Sequence, residues 1–361
     1  MNKQISSKER GLAPFKGVFT DRLPMWYGGA PETTMNIMNF LGAASEEEAL
    51  YEILGMDYKT FRPVYTGKPF EKTADGKIIN EWGLIRDGYH WGQAINAPLE
   101  NVTSIREIEN YNFPRPEDFD VNFTSDQIEE AGEYCVIGGA WAPYFHDAAE
   151  LMGMERYLFE MLMNPSMVEA LNEKCFDFYY QLTKNAFEAN PGVIDFLFYG
   201  NDFGTQHGMM MSPENWRRFY KPHMEKFVEL AHSHGAICGL HSCGDIHEIF
   251  PDMIDAGLDV INPIQVSCPG MVPEKLKAEY GKDIVFFGGV DENEILRCGT
   301  EKEVREETKR IIDILGSDGK LIVACTHDYL LPEIPAENIV AMYDEAAKYS
   351  GAVSFRDKIK G

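Results

Sequence analysis

From about residue 192 onward, hydrophobic positions fall into short runs rich in β-branched and aromatic residues, and longer stretches with apolar residues at helical spacing separate them. This alternation is the pattern of parallel βα units. It predicts strands at 194–199 (IDFLFY), 236–241 (AICGLH), 258–262 (LDVIN), 284–288 (IVFFG) and 320–325 (KLIVAC). Between them, Ser212-Pro-Glu-Asn opens a helix to about His234 and Gly244-Asp-Ile opens another to Ala256. Pro273 starts a third, Thr300 caps a fourth and Pro335 starts the last. Nearer the N-terminus, 134–138 (YCVIG) is a further strand, and a long helical region follows from about Asp147 to Ala189, broken near Asn164-Pro165. Two more strands complete a set of eight. They are predicted at 23–27 (LPMWY), with a helix around 31–41 after it, and at 61–66 (FRPVYT), with the acidic helix Ser45 to Leu54 before it. Residues 77–93 alternate like a hairpin, and 101–128 read as loop with a short helix. The expected fold is α/β, a (β/α)8 TIM barrel. It forms one domain over 1–361, with an N-terminal helical extension at 1–20 and an insertion over 67–130.

Length and composition are consistent with this picture. A chain of 361 residues, 44% of them hydrophobic, can bury one large core. The 33 basic residues against 58 acidic ones give a net charge of −25, which opposes binding to nucleic acid or to an anionic membrane surface. Neither partner is expected. Seven scattered cysteines do not make a disulfide framework, so a reducing, cytoplasmic setting is expected. The first residues lack the apolar core of a signal peptide, and no apolar run approaches eighteen residues.

Active sites of such barrels form at the C-terminal ends of the strands. The segments there carry Trp141-Ala-Pro-Tyr144, Asn201-Asp202-Phe-Gly204, His241-Ser-Cys243-Gly244, Asn262-Pro-Ile-Gln265, Gly288-Gly-Val-Asp291 and Cys325-Thr-His327-Asp328. Residues two apart in a strand share a face, so His241 and Cys243 can reach one point, as can Cys325 and His327. The strands carrying these pairs are three apart in a barrel just wide enough for side chains to meet across its mouth. One imidazole and two thiolates (His241, Cys243 and Cys325) suit Zn²⁺, which in catalytic sites keeps one position open. Cys268 is a rival ligand at the end of a longer loop, whereas Cys238 has the opposite parity and should face the helices. Cys135, Cys175 and Cys298 read as structural. Asp202, Asp291 and His327 are candidate acid–base groups, although an Asp after a strand also serves a turn. Trp141, Tyr144, Asn201, His207, Gln265 and Met210 are candidate substrate contacts, and the Met209-Met210-Met211 run fits packing equally well. Gly288-Gly289 marks either a tight turn or a close approach.

These segments resemble the uroporphyrinogen decarboxylase superfamily, which includes cobalamin-dependent methyltransferases acting with corrinoid proteins. The resemblance rests on Asn201-Asp-Phe-Gly-Thr-Gln206, Ser212-Pro-Glu-Asn-Trp-Arg217, Gly239-Leu-His-Ser-Cys-Gly244, Asp259-Val-Ile-Asn-Pro-Ile-Gln265 and Phe287-Gly-Gly-Val-Asp291, with Leu23-Pro-Met-Trp-Tyr27 and Trp82-Gly83 before them. It implies a (β/α)8 barrel. The decarboxylases of the superfamily carry an arginine motif after the first strand and an aspartate after the second. Here those places read Tyr27-Gly-Gly-Ala-Pro31 and Tyr65-Thr-Gly-Lys-Pro69. The rim segments contain no Arg or Lys, and burying several substrate carboxylates there without cations would be costly. The methyltransferase branch is the closer resemblance. It implies zinc on His241, Cys243 and Cys325, and methyl transfer between methylcobalamin on a corrinoid protein and a small-molecule methyl acceptor or donor, either a thiol such as coenzyme M or tetrahydrofolate. The alternatives are a decarboxylase of a less charged substrate and a non-catalytic corrinoid or tetrapyrrole binder.

Overall fold

The chain is described by a computed structural model that covers residues 5–86 and 92–349. Seven parallel strands lie side by side in chain order: Tyr58–Thr60, Cys135–Gly138, Phe196–Gly200, Ile237–His241, Val260–Asn262, Val285–Phe287 and Leu321–Ile322. The segment 23–27 fills the remaining gap. Met25 bridges Val323 in parallel, Val323 N–H donates to Pro24 O (2.8 Å), and Asp57 N–H donates to Met25 O (3.0 Å). The sheet thereby closes into an eight-membered barrel, with helices such as Pro165–Ala189, Lys221–Ser233 and Glu301–Leu315 around it.

The closure is clamped by charge. The fully buried Asp57 accepts from Met25 N–H (2.9 Å), from Arg22 (2.6 Å) and from Arg10 (2.8 Å), so its carboxylate is paired on every side. Strand parity sorts the core into two layers. Trp26, Tyr58, Ile137, Phe196, Phe198, Val260, Phe287 and Ala324 fill the barrel. Leu197, Tyr199, Cys238, Leu240 and Ile261 face the helices, the side expected for Cys238. Helix Ser7–Lys16, started by a Ser6/Glu9 capping box, packs Leu12 and Phe15 against the interior layer.

Several boundaries differ from expectation. The second strand is Tyr58–Thr60 and not 61–66; Val64–Tyr65 instead pairs antiparallel with Phe119–Asp120. Lys59 caused the displacement, because a lysine interrupts an apolar run. Here its ammonium reaches Glu47 (2.7 Å) and Glu130 (3.1 Å) on the helix side of the strand. The helix expected from Ser212 to His234 is two, Pro213–Phe219 and Lys221–Ser233, since Pro222 disfavours continuous helix at the residue before it. Pro251 similarly leaves a 3₁₀ turn, His247–Ile249, ahead of Phe250–Asp255. Within the expected hairpin 77–93, antiparallel bridges join Ile79 to Ile85 and Arg86 to Ala94, and residues 87–91 lie outside the described residues. No helix among the described residues is long and apolar enough to cross a membrane.

Candidate functional site

The strand Ile237–His241 delivers its last side chain into the barrel mouth. Gly239 leaves the room for this, since a Cβ there would lie 2.6 Å from both Phe196 and Val260. His241 Nδ1 lies 2.7 Å from the side-chain oxygen of Asn262 on the neighbouring strand, which fixes the ring and turns Nε2 toward the mouth. Cys243 Sγ is 3.4 Å from that Nε2, and Asp202 Oδ1 is 3.2 Å from it. These three residues place one ligand-type atom each within 4.8 Å of one another, the one such group of His, Cys, Asp and Glu among the described residues.

The loops that carry them are bound to each other. Cys243 N–H donates to Asp202 Oδ1 (2.8 Å), Phe203 N–H to Ser242 Oγ (3.0 Å) and Gly244 N–H to Gln265 Oε1 (2.7 Å). Gly244, at φ +88°, lies so close to Gly204 that a Cβ would stand 2.3 Å from the Gly204 carbonyl carbon. Asp202 N–H donates to His146 Nε2 (3.0 Å), which makes that nitrogen an acceptor, and burial lowers the His146 pKa to keep the ring neutral.

The electrostatics favour positive charge at one point. Burial disfavours a charged His241, yet Asp328, Cys243 and Asp202 raise its pKa well above the ordinary imidazole value. Burial pushes Asp202 up, but hydrogen bonding to His241, the charge of His241 and the Cys243 N–H hold its carboxyl well below the usual range. The Cys243 thiol, pushed by burial to about 11 against the pull of His241, needs a stronger cation beside it to become a thiolate at neutral pH. A proton on His241 Nε2 answers the charge of Asp202, and a divalent cation replacing that proton would answer the carboxylate and a Cys243 thiolate together. By its donor chemistry the cluster fits Zn²⁺.

Above it opens a cavity of about 830 Å³ with aromatic walls that include Trp26, Tyr51, Trp141 and Phe198. Trp141 folds over Gly200, where a Cβ would stand 2.2 Å from the indole, and its ring lies 5.4 Å from that of His241. Asn201 lines the cavity while bonding Phe145 N–H and Ala142 O. His327 lines it too, its ring 6.2 Å from that of His241.

Other expected site residues are placed elsewhere. Cys325 is absent from the three-residue group: Ala324 occupies the interior position, and Cys325 lies in the outer layer with Sγ 2.8 Å from His327 O. Asp291 caps the turn Glu292–Leu296 by accepting from Glu294 N–H (2.7 Å). Tyr144 is buried among Phe176, Tyr220 and His223. His207 is exposed in the turn between Gly204–Thr205 and Gly208–Met209, Met210 packs on the outer core, and Gln265 holds the Gly244 turn. Cys268 is buried with Sγ toward Gln206 and Thr205. Gly288 permits a close approach, because a Cβ there would meet Cys325 O at 2.4 Å.

His146 and Arg62 line the cavity and are not among the candidates that the sequence offers. His146 follows the Trp141 segment by one turn of helix, a signal that was available. Arg62 was hidden by the misplaced second strand. With that strand ending at Thr60, Arg62 belongs to the rim, which therefore does carry a cation.

A closed parallel barrel with polar groups gathered at the C-terminal rim is the architecture of (β/α)8 enzymes. The chain belongs to the uroporphyrinogen decarboxylase (URO-D) family, whose sequence profile matches residues 93–349. It is similar to the methylcobamide:CoM methyltransferase MtaA of Methanosarcina barkeri (strain Fusaro / DSM 804), with 22% identity over 308 residues, 84% of this chain and 76% of that protein. A second Methanosarcina barkeri protein of the same name matches with the same identity and coverage. Among solved structures, a methyltransferase from Methanosarcina mazei superimposes with a TM-score of 0.63 at 18% identity, over 99% of this chain and 100% of that one.

Proposed function

We propose that this chain is a zinc-dependent methyltransferase that moves a methyl group between a corrinoid (methylcobalamin) on a partner protein and a small acceptor, a thiol or a tetrahydrofolate. The observation that carries this reading is the convergence of Asp202, His241 and Cys243, the first two of which line a cavity large enough for a small substrate. The activity that names the relatives, methylcobamide:CoM methyl transfer, is one for which such a cluster beside a cavity is suited. Zinc, when bound, supplies the Lewis acidity that favours the thiolate form of an acceptor thiol.

The chain's own residues do the positioning. Asn262 orients His241 so that Nε2 faces the cluster, and the Gly204–Gly244 contact holds the Asp202 loop against Cys243. Trp141 and Phe198 cover one side of His241 and exclude water from it. His146 Nε2, by accepting from Asp202 N–H, holds the Asp202 backbone beside the cluster, and the half-exposed His327 lines the mouth with its ring 6.2 Å from that of His241.

In this proposal Asp202, His241 and Cys243 hold the metal, and Cys325, the ligand implied by the family resemblance, packs behind the rim. Metal analysis of the purified chain, of Asp202→Ala, Cys243→Ser and Cys325→Ser tests it. Zinc in the wild type, lost in the first two variants and retained in the third, is expected. A wild type without zinc sinks the reading, and loss in Cys325→Ser with retention in Asp202→Ala replaces Asp202 by Cys325. A decarboxylase remains the second reading because Arg62 brings a cation to the rim; turnover of a carboxylated substrate by chelator-treated protein would favour it.

A further inference from the structure

Arg62 is the one Arg or Lys among the residues lining the cavity, in a wall that otherwise contributes the carboxylates of Glu46, Asp202 and Asp328. Its Nη1 is anchored to backbone, donating to Phe198 O (3.0 Å) and Gly139 O (3.1 Å), with Gly138 O at 3.4 Å. Gly138 and Gly139 close one barrel strand and Phe198 lies within the neighbouring strand, so the guanidinium is fixed at a defined place beside the mouth. Its Nε and Nη2 make no hydrogen bond to a described residue, and no described carboxylate lies within ion-pair distance of it. Burial lowers its pKa to about 10, and only the more distant charge of Asp328 offsets that cost. A guanidinium presents its donors in a planar fork that matches a carboxylate or sulfonate. Here one nitrogen is spent on the scaffold and the rest of the fork is free.

The distance to His241 suits a small molecule. The Trp141 ring lies 5.7 Å from the Arg62 guanidinium carbon and 5.4 Å from the His241 ring, so a single indole spans the gap between the two groups. We infer that Arg62 is the specificity-determining residue of this site, and that the small-molecule substrate carries an anionic group, a carboxylate or sulfonate, which pairs with Arg62 while its reacting end lies over His241 and Cys243. This deepens the proposed function and rests on the cavity being its substrate site. The anion supplies the partner that the buried guanidinium lacks, and an uncharged analogue would leave those donors unpaired.

The experiment uses probes without a thiol, so that the metal chemistry and Arg62 are read separately. Binding of propionate, ethanesulfonate and neutral propionamide is measured by titration calorimetry at low ionic strength, on zinc-loaded and on chelator-treated full-length protein. The wild type is expected to bind one or both anions on the order of tenfold or more tighter than propionamide in both forms. Comparison of the two anions tells carboxylate from sulfonate. Arg62→Met should abolish the preference, and Arg62→Lys should keep part of it. Equal affinity for anion and amide in the wild type overturns the inference, and that measurement stands even if Arg62→Met fails to fold. A preference retained in a folded Arg62→Met, or one that vanishes on chelation, also overturns it. Absence of zinc or of methyl transfer would remove the proposed function and leave the charge preference in place.

Discussion

Replacing Gly244 with alanine tests whether the metal cluster depends on the close approach of two rim loops. At φ +88° an L-residue pays about 1–2 kcal/mol of backbone strain. The new methyl would also stand 2.3 Å from Gly204 C, 2.6 Å from Thr205 N and 2.7 Å from Gly204 Cα, all backbone atoms that cannot rotate away. Relief requires the loops to part by about 1 Å, and overpacking of this kind costs roughly 1–3 kcal/mol. A total destabilisation of about 2–5 kcal/mol is expected from urea denaturation. The separation pulls on the Cys243 N–H to Asp202 Oδ1 bond (2.8 Å), so Asp202 leaves its position beside His241. Zinc affinity, measured by competition with a chromophoric chelator, should fall by about 10–100-fold, as when the groups that orient metal ligands are disturbed. Gly235→Ala is the control: its φ is +73°, but nothing lies within 4 Å of the added Cβ. It should lose about 1–2 kcal/mol and leave metal affinity unchanged. If Gly244→Ala matches this control in both measurements, the loop contact does not position the cluster.

Two other substitutions probe separate links. Asn262→Leu removes the acceptor that fixes His241 Nδ1, so zinc affinity should drop by about 10–100-fold, and wild-type affinity would show that the ring needs no such partner. Asp147, fully buried beside Tyr179, is raised by burial from 3.8 to about 7, so the folded chain holds a proton that the unfolded chain releases between those values. Its effect on stability therefore worsens as pH rises from about 4 to 7 and is constant above. Asp147→Asn should gain on the wild type across that range, by up to about 4 kcal/mol at pH 8. A difference between the two proteins that does not change with pH would contradict the shift.

The barrel was legible because most of its strands are short apolar runs, buried on both faces, that take turns with amphipathic helices, and Cys238 against His241 shows side-chain parity operating residue by residue. Legibility failed where a charged residue has a partner distant in sequence. Lys59 reads as an interruption until Glu47 and Glu130 are seen beside it, and the resulting shift of a strand concealed Arg62. At the site, the His241–Cys243 pairing follows from spacing alone. The inclusion of Asp202 does not, because a contact between loops 41 residues apart in sequence sets it. Spacing links Cys325 to His327 but does not say which layer it enters: Ala324 lies with the interior residues, and Cys325 lies in the outer layer with Sγ 2.8 Å from His327 O.

The seam where Met25 meets Val323 also bears on how the protein is made. Roughly 300 residues separate these partners, and by chain entropy alone the closure of so long a loop costs about 5 kcal/mol. A ribosome releasing the chain from its N-terminus exposes Trp26 and the Arg22–Asp57 clamp long before the last strand exists. Until then the nascent barrel is an open sheet with two unpaired edges, the form of the protein most exposed to misassociation. Helix Ser7–Lys16, which packs Leu12 and Phe15 on the interior layer, meets the early strands and also the last one, Leu321–Ile322, so its own docking is completed only when the barrel closes.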